Sequence, residues 1–161
     1  MHEGIKLKEN PEKLVGYCGL FCGACGIYQG RIRQAIENLR NVIKAYGLDK
    51  IASELAEWDP AFHHYTEFEN VMDSFAKMFG ECPACINGGG DPTCAVRICA
   101  KQKGYVTCAE CVDMEKCEKV QRYGLTIMEG LKKIKAMGVA MWANEMQKKV
   151  NAGYCYLDDK P

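Results

Sequence analysis

A chain of 161 residues and 18.0 kDa has the length of a single domain. Its 48% hydrophobic and 26% charged residues suit an ordinary folded core and confine expected disorder to the ends. Lys+Arg and Asp+Glu are both 21, so the formal net charge is zero, without the basic excess that phosphate binding demands. That balance argues against a nucleic-acid partner.

The N-terminus, Met-His-Glu-Gly-Ile-Lys-Leu-Lys-Glu-Asn-Pro, has no apolar stretch of the kind a signal peptide needs. No apolar run approaches the ~20 residues of a membrane span. The expectation is a cytoplasmic protein with reduced thiols and no membrane partner. Residues 1–13 read as a flexible N-terminus to a single domain over 1–161.

Residues 14–30 hold the first cysteine cluster, Cys18-x3-Cys22-x2-Cys25. This is the spacing with which radical S-adenosylmethionine enzymes bind a four-iron cluster. Those enzymes need a large partial barrel, and they usually place an aromatic residue where this chain has Ala24. A structural metal site, or an iron–sulfur cluster of another kind, fits a short helical chain better.

Residues 31–80 read as helical. Ile32, Ile36, Leu39, Ile43 and Tyr46 recur at steps of four and three, predicting a helix from Arg31 to Tyr46 that ends at Gly47. Ile51, Leu55 and Trp58 predict a short helix before Pro60. Phe62, Tyr65, Phe68, Met72, Phe75 and Phe79 form an aromatic stripe at helical spacing, and Gly80 stops it. Such a stripe is expected to be core. His63 and His64 are adjacent, so on a helix they point about 100° apart and do not readily share a metal.

Residues 81–117 are rich in cysteine and turn formers and poor in large apolar side chains. They contain Cys82-x2-Cys85, Cys94-x4-Cys99 and Cys108-x2-Cys111-x5-Cys117. Gly80, Pro83 and Gly88-Gly89-Gly90-Asp91-Pro92 supply tight turns. A segment this thin in core needs a staple. The odd count of eleven cysteines and the repeated C-x2-C spacing oppose a disulfide framework. A C-x2-C turn aims two sulfurs at one point, as a tetrahedral soft-metal site requires, so the expected ion is zinc, two or more per chain. Cys82/Cys85 with Cys108/Cys111 has the layout of a four-cysteine site. Two tetrathiolate sites would leave two cysteines over, and a six-cysteine binuclear cluster plus one four-cysteine site would use all ten. Each tetrathiolate zinc site carries a net charge of about −2, so the loaded protein is expected to be acidic.

Residues 118–150 predict the longest helical stretch, with Val120, Ile127, Leu131, Ile134, Met137, Met141 and Trp142 as its apolar positions. Gly124, Gly130 and Gly138 each cost up to ~1 kcal/mol against alanine, and a break near Gly138 would give two helices. Lys132, Lys133 and Lys135 read as a solvated face. Residues 151–161 form a tail with Cys155, a free thiol or optional ligand. The fold class is therefore mainly α: a small helical domain with cysteine-rich metal-binding loops or knuckles and little strand. No P-loop, dinucleotide glycine pattern or nucleophile elbow is present.

Gly16-Tyr-Cys-Gly-Leu-Phe-Cys-Gly-Ala-Cys-Gly-Ile-Tyr28 resembles the N-terminal signature of domain of unknown function 3795. Cys82-Pro-Ala-Cys85 through Cys94-Ala-Val-Arg-Ile-Cys99-Ala-Lys-Gln-Lys-Gly104 resembles its central motif, and Cys108-Ala-Glu-Cys111 with Cys117 its third. Ile134–Trp142 is similar to its closing helix, so the resemblance covers roughly residues 14 to 145. It implies metal binding without an assigned activity, through Cys18, Cys22, Cys25, Cys82, Cys85, Cys94, Cys99, Cys108, Cys111 and Cys117. Family members can carry a further cysteine before Cys94, where this chain has Gly-Gly-Gly-Asp-Pro-Thr. Arg97 falls at an arginine position of the motif and is expected to neutralise thiolate charge.

The leading functional reading is a zinc-stapled domain, its metal mainly structural, that binds another protein. The alternatives are an iron–sulfur redox or sensing protein, and an enzyme using an open metal position at Cys18/Cys22/Cys25.

Overall fold

The structure is a computed structural model that describes residues 10–122 and 125–159. The fold is mainly α. Seven α-helices run through the described residues: α1 (Arg31–Ala45), α2 (Ala52–Leu55), α3 (Tyr65–Phe79), α4 (Ala95–Gln102), α5 (Glu118–Gln121), α6 (Leu125–Met137) and α7 (Val139–Asn151). Short 3-10 turns join them. Among the described residues the β-type pairing is one isolated bridge, Val15 with Phe21. Of the expected flexible N-terminus, residues 1–9 lie outside the described residues, as does Gly124. Residues 10–13 are ordered: Pro11–Leu14 is a 3-10 turn capped by the Asn10 side chain, and Leu14 is buried.

The chain forms two compact units, Met1–Tyr28 with Pro83–Pro161, and Gln29–Cys82. The Gln29–Cys82 unit pairs α1 with α3. Arg40 on α1 links them. Its Nε donates to Glu69 Oε2 at 3.1 Å and its Nη2 to Asp73 Oδ1 at 2.7 Å. Helix α1 ends where the 3.6-residue pattern places it, with Gly47 at φ 66° just beyond. The aromatic stripe, however, is not core. Phe62, Phe68 and Phe75 are 38%, 41% and 47% exposed, and Met72 is the buried residue of α3. Two paired helices bury one seam, and this unit supplies no further layer over the rest of the stripe. Trp58 is likewise exposed, while Leu55 is buried.

The other unit contains the main core, centred on Leu14, Phe21, Val96, Met114, Val120 and Leu131. Helices α6 and α7 form its hairpin. Gly138 breaks the helical run as the sequence suggests, at φ 84° and ψ 159°, a backbone region that side chains other than glycine avoid. Val120, Ile127, Leu131, Ile134 and Trp142 are buried as expected, whereas Met141 is exposed. Lys132, Lys133 and Lys135 are exposed. Helix α7 packs on the turn Pro11–Leu14 and on the 3-10 turn Cys22–Ala24. Helix α6 packs on the 3-10 turn Cys108–Glu110. The hairpin therefore backs two of the cysteine turns.

Candidate metal centre

Ten of the eleven cysteines belong to the unit of Met1–Tyr28 and Pro83–Pro161, and Cys82 is the last residue of the other. The described residues contain no disulfide. His63 and His64 are exposed on the 3-10 turn Pro60–His64.

A first group of thiols gathers around the Gly16–Cys25 loop. Gly16 N–H donates to Leu20 O and Gly19 N–H to Gly16 O, both at 2.8 Å, which folds the loop back on itself. Its glycines are needed for contact. A Cβ on Gly19 would lie 2.9 Å from Leu131 Cδ2, and one on Gly130 would lie 3.1 Å from Gly19 O. Trp142 Nε1 donates to that same carbonyl at 3.2 Å. The loop is thus pressed onto α6 and α7, with Cys18 and Cys22 on it. Cys25 N–H bonds Cys22 O at 2.9 Å, closing the C-x2-C turn.

Cys85 joins this group. Its N–H donates to Cys22 Sγ at 3.3 Å. Cys18 lies near both Cys85 and Cys94, near enough for their charges to act on it. Burial pushes the Cys18 thiol up to about 11 and the Cys22 thiol to about 12 from an ordinary 9.0, with neighbouring sulfurs adding to the rise. The Tyr156 hydroxyl accepts from Phe21 N–H at 3.0 Å, next to these thiols.

A second group lies where α4 meets the turns that follow it. Cys99, Cys108, Cys111 and Cys117 line one cavity of about 180 Å³. Cys111 N–H bonds Cys108 O at 3.0 Å, and Cys117 N–H bonds Met114 O at 3.3 Å. Burial pushes the Cys108 thiol up to about 12. Lys103 Nζ stands 3.9 Å from Cys111 Sγ, and the Cys111 and Cys99 thiols raise its own affinity for a proton. Cys85 N–H bonds Cys22 Sγ, and Cys108 and Cys111 line the cavity with Cys99 and Cys117, while Cys108 also lies within charge range of Cys18 and its N–H donates to Tyr17 O at 2.8 Å.

Thiolate donors in this number suit a soft metal. Among the described residues, however, no three Cys, His, Asp or Glu side chains stand close enough together to hold one ion. The donors are assembled around loops and a cavity rather than converged on a point.

One residue has partners the sequence did not suggest, and two features escaped the sequence reading. Arg97, expected to neutralise thiolate charge, is buried and bonds backbone carbonyls. Its Nη1 donates to Gly89 O at 2.6 Å and to Cys85 O at 3.3 Å, and its Nη2 donates to Asp91 O. It adds to the backbone bonds that Cys85 O and Asp91 O already accept from Gly88 N–H and Cys94 N–H, and it also holds Gly89 O. Thr107 and Glu110 form a capping box at the second group, where Glu110 Oε1 accepts from Val106 N–H and Thr107 N–H at 2.8 and 3.2 Å. The Thr-x-x-Glu pattern was the available signal. Ala84 has φ 73° and ψ 156°, a strained setting for a residue with a Cβ. No short-range pattern announces it.

Cys155 is buried, outside the expected ligand list. Its N–H donates to Asp158 Oδ2 at 3.0 Å, and its Sγ would lie 3.6 Å from a Cβ on Gly26.

The profile of the family described as protein of unknown function (DUF3795) matches residues 14–122. Ile134–Trp142 lies beyond that match. Neither the curated proteins nor the solved structures yield a match. Among the described residues no helix is long and apolar enough to cross a membrane.

Proposed function

The chain belongs to the DUF3795 family, and from that premise we propose that it is a thiolate metal protein whose metal mainly staples the fold. The observation that carries this reading is the gathering of cysteines into two groups on one unit, Cys18, Cys22, Cys25, Cys85 and Cys94 in the first and Cys99, Cys108, Cys111 and Cys117 in the second. The bond from Cys85 N–H to Cys22 Sγ supports it, because backbone donors stabilise sulfur in its thiolate form. The strained backbone of Ala84 supports it too. Strain of order 1–3 kcal/mol persists where surroundings impose it, and a metal held by Cys85 would impose it. Zinc is the ion expected from the C-x2-C spacing, and a reduced, cytoplasmic setting is part of the proposal. The proposed role is a metal-stapled module for a protein partner, with the exposed Phe62, Phe68 and Phe75 as apolar surface for it.

The test is metal analysis of the anaerobically purified chain. One or more thiophilic metal ions per chain, with the ions of the first group lost in Cys22→Ser, those of the second lost in Cys111→Ser, and all kept in Cys155→Ser, is the expected result. A metal-free chain of unchanged thermal stability would defeat the reading.

A further inference from the structure

The two cysteine groups differ in one physical respect. In a tetrahedral zinc site the Zn–S bonds are about 2.3 Å, so the four sulfurs lie about 3.8 Å apart and touch one another. Such a site contains no void. Cys99, Cys108, Cys111 and Cys117 instead line a cavity of about 180 Å³. A water molecule's share of liquid volume is about 30 Å³, so this space has room for several atoms. The side chains are also not gathered in threes around any point.

We propose that this cavity is the seat of an iron–sulfur cluster ligated by Cys99, Cys108, Cys111 and Cys117. The inference rests on the thiolate-metal reading above and specifies the species at its second group. Four cysteine thiolates are the usual ligand set of such clusters. The cluster's inorganic sulfides and irons would fill the volume that a single ion leaves empty. The walls suit it as well. Val96 and Met114, both buried, form the apolar part of its wall. Lys103, 3.9 Å from Cys111 Sγ, would supply positive charge beside the thiolates of a bound cluster. The ligands come from α4 and from the two 3-10 turns after it, all in one unit and packed against α5 or α6, so the set is held by rigid elements.

The experiment is iron, zinc and acid-labile sulfide analysis of the full chain purified without oxygen, with its visible absorption spectrum. The same measurements follow on Cys117→Ser, Cys22→Ser and Cys155→Ser. Iron and sulfide in equal amounts with a broad visible band are expected in the parent chain. At least a fivefold loss of both is expected in Cys117→Ser, with retention in Cys22→Ser and Cys155→Ser. Zinc without iron would overturn the cluster and leave the thiolate-metal reading standing. No metal of any kind would overturn both. Iron that survives Cys117→Ser but not Cys22→Ser would move the cluster to the first group and defeat this assignment. The parent chain's iron-to-zinc ratio decides the species even if a variant fails to fold.

Discussion

Arg97 shows how far a single side chain can depart from the role its neighbours suggest. Flanked in sequence by Cys94 and Cys99, it reads as a counter-charge for thiolates, yet its guanidinium holds the carbonyls of Cys85, Gly89 and Asp91. A glycine-rich loop has many backbone acceptors and few partners, and a planar fork with five donors serves several at once. Arg97→Lys keeps the charge and loses the fork. We expect it to destabilise the chain by about 1–2 kcal/mol, mainly through the lost bond to Gly89 O, since Cys85 O and Asp91 O keep the Gly88 and Cys94 N–H groups; the readout is a lowered urea midpoint. An unchanged midpoint would mean that water replaces the fork. The thiols give a second prediction at this scale. Cys18 and Cys22 titrate near 11 and 12 rather than 9.0 because they are buried. Below those values each must lose a proton to bind metal, so apparent affinity should rise about tenfold per pH unit for each such thiol. The rise should continue through pH 9, where ordinary thiols would level off. Zinc competition against a chromogenic chelator at stepped pH checks this, and a plateau below pH 9 would contradict it.

Among the elements, the cysteine turns are built from local rules. The turn Cys108–Glu110 starts at Thr107, whose side chain accepts from Ala109 N–H at 3.3 Å while Glu110 reaches back to Thr107 N–H. Thr107→Ala should cost about 1 kcal/mol and Thr107→Ser almost nothing, measured by denaturant unfolding. Equal losses would show that the buried methyl group carries the effect. The C-terminal hairpin depends on one backbone position. Gly138 takes a conformation that a residue with a Cβ adopts only under strain, and it lets α6 and α7 fold against each other. Gly138→Val should cost at least about 2 kcal/mol in thermal unfolding, because a β-branched residue cannot adopt that geometry without strain. Helix lengths and the Gly138 break were legible in the sequence, since both follow from period and propensity. The fate of the aromatic stripe on α3 was not, because period shows that a face exists and says nothing of what covers it.

Across the molecule, the cysteines and the helices hold each other. The hairpin of α6 and α7 backs the cysteine turns, while the stretch 83–117 has few large side chains of its own in the core, Val96 and Met114 chief among them. Removing metal should therefore open this stretch before the helices. Limited proteolysis of the chelated chain should cut first between residues 83 and 117, with most helicity kept in far-ultraviolet dichroism. Protection equal to that of the untreated chain would mean that the apolar core suffices.

The sequence alone determined the mainly helical class, the family, the C-terminal end of α1, the break at Gly138 and the spacing of the cysteines. These follow from short-range spacing, which a linear chain displays openly. Only the tertiary structure decided which cysteines are neighbours. Cys85 lies by Cys22, across 63 positions of sequence, and Cys108 lies within charge range of Cys18 as well as of Cys99, Cys111 and Cys117. Pairings over such separations depend on how the Gly16–Cys25 loop packs onto α6 and α7, and packing is a property of surfaces that meet only when the chain has folded.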